Sequence, residues 1–131
     1  MTLAELDAHR YLVVQLNTAQ NLLQSMRDSV LRASAPDGMP HGSGTRDKVA
    51  YLAIKITEQE RMVKQYAAAV KRSEKDILEW IQGIMDNRTN LIFYLRFICG
   101  YEWKEVAEII GGKNTIAAVK SQCYRYLNSA R

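Results

Sequence analysis

The sequence is poor in residues that break or staple a chain. Among 131 residues it has two prolines, two cysteines and two histidines. With so little proline, seven glycines and 47% hydrophobic residues, it is not a disordered chain. No apolar run reaches the ~18 residues that would suggest a membrane span. The two cysteines, Cys99 and Cys123, form no metal-ligand spacing. Both sit in apolar helical stripes and are expected to be buried free thiols in a reducing compartment. His9 and His41 lack any carboxylate or cysteine pattern around them, so no metal and no cofactor is expected. His41 reads as part of a turn, because no strand precedes it and phosphate-loop spacing is absent. No serine–histidine–aspartate, cysteine–histidine or paired-carboxylate constellation occurs at workable spacing, so the chain is not expected to be an enzyme. Residues 2–32 carry Glu5 and Asp7 near the start and no cationic-then-apolar pattern, which is unlike a signal peptide.

What is present is helical periodicity. Residues 1–32 contain neither Pro nor Gly. Leu12, Leu16, Ala19, Leu23, Met26 and Val30 recur at steps of four and three, a heptad-like seam on one long helix, with Thr2 placed to cap it. Residues 34–46 hold both prolines and three of the glycines and read as a loop. A second long helix is expected from about Asp47 to Met85, capped by Thr45 or Asp47. Its seam runs Val49, Leu52, Ile56, Gln59, Val63, Tyr66, Val70, Ser73, Ile77, Trp80, Ile84. Gln59 and Ser73 interrupt this seam, either to set register or to face a small residue of the first helix. At 1.5 Å per residue the helices span roughly 45 and 58 Å. Folded back, the first covers about the front three-quarters of the second and leaves Ile77, Trp80, Ile81 and Ile84 to be covered by the next segment or by a second protomer.

The last 45 residues are punctuated differently. Asp86 or Asn87 caps a helix carrying Leu91, Ile92, Leu95 and Ile98, which Gly100 ends. Trp103, Val106, Ala107 and Ile110 mark a two-turn helix stopped by Gly111-Gly112. Asn114 or Thr115 caps a final helix with inner face Ile116, Val119, Cys123, Tyr126 and Leu127. Three short helices with a tight turn between the last two give the helix-turn-helix layout. The chain thus reads as all-α: a long antiparallel, coiled-coil-like hairpin over residues 1–85 with its loop at 34–46, then a small three-helix helix-turn-helix domain over 86–131. The uncovered isoleucine stripe makes the hairpin the expected homodimerisation module.

Charge follows this division. The formal net charge is only +4, but residues 87–131 carry seven basic and three acidic side chains, and from Ile109 onward there are four basic residues and no acidic one. On the final helix the 100° step puts Asn114, Ala117, Ser121, Arg125 and Asn128 opposite the inner face, with Lys120 and Tyr124 flanking. Arg, Lys and Asn suit base edges or phosphate, Ser and Tyr suit phosphate oxygens, and alanine permits close approach. Lys113 and the helix start with Thr115 add positive potential for phosphate. The candidate DNA-binding set is therefore Lys113, Asn114, Thr115, Ala117, Lys120, Ser121, Tyr124, Arg125 and Asn128.

The stretch from Leu95 to Gly111 resembles the start of sigma-factor region 4 helix-turn-helix domains. Glu105-Val106-Ala107 matches their E-[IV]-A element, and Ala118-Val119-Lys120-Ser121 looks like the opening of their recognition helix. Gln122 stands where a second basic residue is frequent, and Tyr126 where a small one is common. The whole chain is similar to a small family of transcriptional regulators encoded by prophages of Gram-positive bacteria, which join a long helix, a Pro- and Gly-rich loop (here Pro36 to Gly44), an Asp opening a second long helix (here Asp47) and a sigma-like C-terminal domain. The resemblance implies a sequence-specific DNA-binding regulator in the bacterial (host) cytoplasm, an activator by expectation, with double-stranded DNA and RNA polymerase as partners and no membrane. Two other readings stay open: a small terminase-like DNA-packaging protein, and an adaptor that binds polymerase without DNA affinity.

Overall fold

A computed structural model describes residues 1–34 and 43–129. Among them the chain is all-helical, without strands. The elements are α1 (Leu3–Ser34), α2 (Ser43–Gln82), α3 (Asn87–Phe93), a π-helical turn (Tyr94–Ile98), α4 (Trp103–Ile110) and α5 (Ile116–Ser129). Residues 35–42, including His41 and most of the expected 34–46 loop, lie outside the described residues. Ser34 and Ser43 are themselves helical, so the helices extend into both ends of the expected loop, and α2 starts ahead of Thr45 and Asp47.

Local chemistry explains the helix ends. Thr2 and Glu5 form a capping box at α1: the Glu5 N–H donates to Thr2 Oγ1 (3.2 Å) and the Thr2 N–H to Glu5 Oε2 (2.8 Å). α2 ends at Gln82, three residues short of the expected Met85. Asn90 satisfies carbonyls at and just beyond this end: its Nδ2 donates to the Ile81 and Ile84 carbonyls at 2.9 and 3.3 Å. Asp86 caps α3 by accepting from the Thr89 N–H at 2.9 Å and from its hydroxyl at 2.6 Å. The Cys99 N–H reaches back to the Tyr94 carbonyl, the i to i−5 bond of a π turn. Gly100, at φ 78°, then lets the Tyr101 N–H close on the Leu95 carbonyl (3.1 Å).

The chain forms two compact units. The first joins residues 1–12 to the chain from Val70 onward, and the second is Val13–Ala69. In the first unit, Ile77 and Ile81 of α2 and Ile84 just after it share one buried core with Leu6, Ile92, Phe93, Leu95, Phe97, Trp103, Val106, Val119, Cys123 and Leu127. Trp80 packs edge-on against Phe93 (4.9 Å between centroids) and Tyr126 (5.9 Å). At about 1.5–3 kcal/mol for each large side chain removed from water, this core dominates the unit. It also corrects one expectation. The isoleucine stripe is covered by this chain's own helices and so offers no surface to a second chain. Leu6 and the end of α2 belong to the same core as α3, α4 and α5.

The polar residues in the α2 seam each find a partner. In the first unit Ser73 Oγ donates to the Val70 carbonyl (3.1 Å), which leaves its oxygen to accept from Nδ1 of the buried His9. In the second unit Gln59, also buried, donates through Nε2 to the carbonyl of Ala19 at 3.1 Å, and Arg27 pairs with Glu60 at 3.1 Å. Gln59 therefore faces a small residue, one of the two alternatives its position left open.

Candidate nucleic-acid interface

The surface of interest is built on α4, the turn after it and α5. Gly111 closes α4 with φ 78° and ψ −174°, and Gly112 follows at φ 70°. A side chain at Gly111 would meet nothing closer than 4.0 Å, so its requirement is set by the backbone dihedrals and not by space. Thr115 caps α5: its Oγ1 accepts from the Ala118 N–H at 3.1 Å. The inner face of α5 is Val119, Cys123 and Leu127, all buried, with Tyr126 half-buried beside Phe93. Ile116, expected on that face, is 41% exposed, because it lies in the first turn beyond the edge of the core.

The outer face matches the expectation in most positions. Ala117, Ser121, Arg125 and Asn128 are exposed, as are Lys113 and Thr115, while Lys120 is half-buried. Arg125 Nε donates to the Ser121 carbonyl of its own helix at 3.4 Å. Tyr124 stands at the α4 flank, edge-on to Trp103 at 6.3 Å, with 38% of its surface open. Asn114 differs. Its Nδ2 donates to the Gly111 carbonyl and its Oδ1 accepts from Arg88 Nη2, so this side chain holds the turn and is not free to address a ligand.

Two neighbours escaped the candidate set. Arg88, exposed on the first turn of α3, lines a groove of about 290 Å³ with Ala118, Gln122 and Arg125, so two guanidinium groups border one groove. Gln122 is tied to α3, donating to Thr89 Oγ1 at 2.9 Å and to Asp86 Oδ2 at 3.4 Å. The hydroxyl and N–H of Thr89, aided by Arg88, hold the Asp86 carboxyl below its ordinary 3.8. Arg88 was visible in the sequence only as one of seven basic residues, since groove membership depends on how α3 crosses α5.

Arg96 is not part of this basic surface. It is buried, with its guanidinium 4.6 Å from the Trp103 ring centroid, and it donates to the Tyr101 carbonyl at 3.0 Å. Glu102 reaches it at 3.6 Å and Arg10 at 3.8 Å. The cysteines also part company. Cys123 is buried, and burial pushes its thiol up to about 12. Cys99 is exposed, contrary to expectation, because the π turn shifts the residues after Tyr94 relative to the α-helical period.

Among the described residues no group of three or more His, Cys, Asp or Glu side chains is placed to hold a metal ion, and no helix is long and apolar enough to cross a membrane. No family model matches the chain, and neither a curated protein nor a solved structure matches it.

Proposed function

We propose that this chain binds double-stranded DNA through the outer face of α5 and regulates transcription from a bacterial cytoplasm, as the likeness to prophage regulators implies. The observation that carries the reading is the composition of that face. Ser121, Arg125 and Asn128 stand in solvent beside the small Ala117, on a helix packed by its opposite side, and no acidic residue occurs from Ile109 onward. Arg88 extends the positive surface onto α3 and is best suited to phosphate, which fixes register without reading sequence. We read α1 and α2 as an antiparallel hairpin, because the start of α1 meets the end of α2 through Leu6 and His9, while only residues 35–42 separate their other ends.

Selection from random duplex DNA, followed by binding of the winning sequence at two salt concentrations, tests the reading. The expected result is an enriched motif whose affinity falls steeply with salt. Arg125→Ala and Lys120→Ala then each weaken binding by about 1–3 kcal/mol where they meet bases, and Arg88→Ala lowers the salt slope by about one. No enrichment, together with unchanged binding in all three variants, overturns the groove assignment. One observation favours a second reading: Ile109 and Ile116, on either side of the turn, are 51% and 41% exposed. Apolar surface there suits a protein partner such as RNA polymerase, and an adaptor of that kind keeps its activity when Lys120 and Arg125 are replaced.

A further inference from the structure

The unit Val13–Ala69 is thinly packed: among its described hydrophobic side chains, only Ala19 and Leu23 are buried. A second apolar stripe on α2 stays in solvent. Tyr51, Ile54 and Met62 are exposed, and with Glu58 they follow steps of three, four and four, about 100° round the helix from the seam through Gln59. Single exposed apolar residues need no explanation, but an ordered stripe on a unit with so little core marks an interaction surface. In the middle of the stripe Lys55 Nζ lies 3.3 Å from Glu58 Oε2 and 5.5 Å from the Tyr51 ring centroid.

We infer that this face pairs with the same face of a second copy of the chain about a two-fold axis, α2 running antiparallel to its counterpart. The charged centre and the two ends of the stripe are complementary to their own reverse, while Ile54 falls opposite the Gln59 position. With the axis midway between residues 55 and 58, Lys55 of each copy stands opposite Glu58 of the other, and the same operation brings Tyr51 opposite Met62. The four charges then alternate in sign across the axis, and each end is closed by a thioether against an aromatic ring. On α1, Leu22 is exposed and displaced from the Ala19–Leu23 seam in the same rotational sense as the α2 stripe. In the antiparallel hairpin proposed above, that puts it on the same side and widens the apolar face. The inference rests on the hairpin but not on DNA binding, and it is tested without DNA.

Sedimentation equilibrium on the wild type, K55E, E58K and an equimolar mixture of the two variants reads it directly. The wild type is expected to dimerise in the micromolar range. Each single variant sets like charges opposite one another and weakens self-association at least about tenfold, while the mixture pairs opposite charges again and recovers the dimer. The double variant K55E/E58K recovers it as well, and circular dichroism checks that each variant keeps its helix content. A wild type that stays monomeric at about 100 µM overturns the inference and leaves the face to a different partner. Single variants that dimerise like the wild type overturn it too, since the contact then lies elsewhere.

Discussion

At the scale of single residues, the first unit contains two polar side chains whose environments make their behaviour calculable. Arg96 gives up hydration for the Trp103 face and the Tyr101 carbonyl, while Glu102, its carboxylate neighbour, stays largely in water. Removing the guanidinium therefore strands no buried charge. Arg96→Ala is expected to cost about 2 kcal/mol, the sum of a desolvated cation–π contact and one charged hydrogen bond, read as a lower urea midpoint at constant slope. His9 behaves as a pH-dependent element. Burial lowers its pKa from the ordinary 6.5, partly opposed by Glu74. A depressed histidine pKa means that the unfolded chain takes up the proton first. Stability is thus complete above 6.5 and is lost as pH falls from there towards the lower folded value. The thermal midpoint should drop over that window in the wild type and change less in His9→Gln. Asp86, also depressed, acts in a separate window: its contribution is present above 3.8 and disappears only at more acid pH.

At the scale of elements, the turn between α4 and α5 depends on one backbone conformation and one cap. Gly111 holds dihedrals that an L side chain rarely adopts, so Gly111→Ala should cost about 1–3 kcal/mol. Thr115→Ala removes one capping acceptor and should cost about 1 kcal/mol. Chemical denaturation ranks the two, and a Gly111→Ala loss no larger than that of Thr115→Ala contradicts the dihedral argument. This is also the scale at which the sequence was most readable. The heptad seams, the α4 stripe and most of the outer face of α5 follow from spacing alone, and each cap was narrowed to two neighbouring residues, because each feature depends on residues within two turns of one another. The π turn was not readable. Leu95, Arg96 and Phe97 are buried in succession, a pattern that neither a 3.6 nor a 2.0 period produces, and it accounts for both the inward Arg96 and the outward Cys99. The roles of Asn114 and Gln122 were equally hidden, since each is decided by a partner on α3 more than two dozen positions away in the chain.

At the scale of the whole molecule, the core of the first unit is assembled from distant parts of the chain. Leu6, Ile77, Ile81 and Ile84 supply apolar surface that the three short helices cannot supply themselves. A fragment of residues 86–131 alone is therefore expected to show little helix by circular dichroism, whereas the full chain unfolds cooperatively. A folded, cooperative fragment contradicts the shared core. The two-part makeup of this unit also has a consequence in time. On a ribosome, Leu6 and His9 emerge early, but their partners Ile77 and Ser73 are made only after the whole of the second unit, and Val119 and Leu127 later still. The first turns of α1 must wait with an apolar residue uncovered until those later segments have been made. The contacts that position α5 form after those of α2, so the candidate binding surface is completed last among these elements.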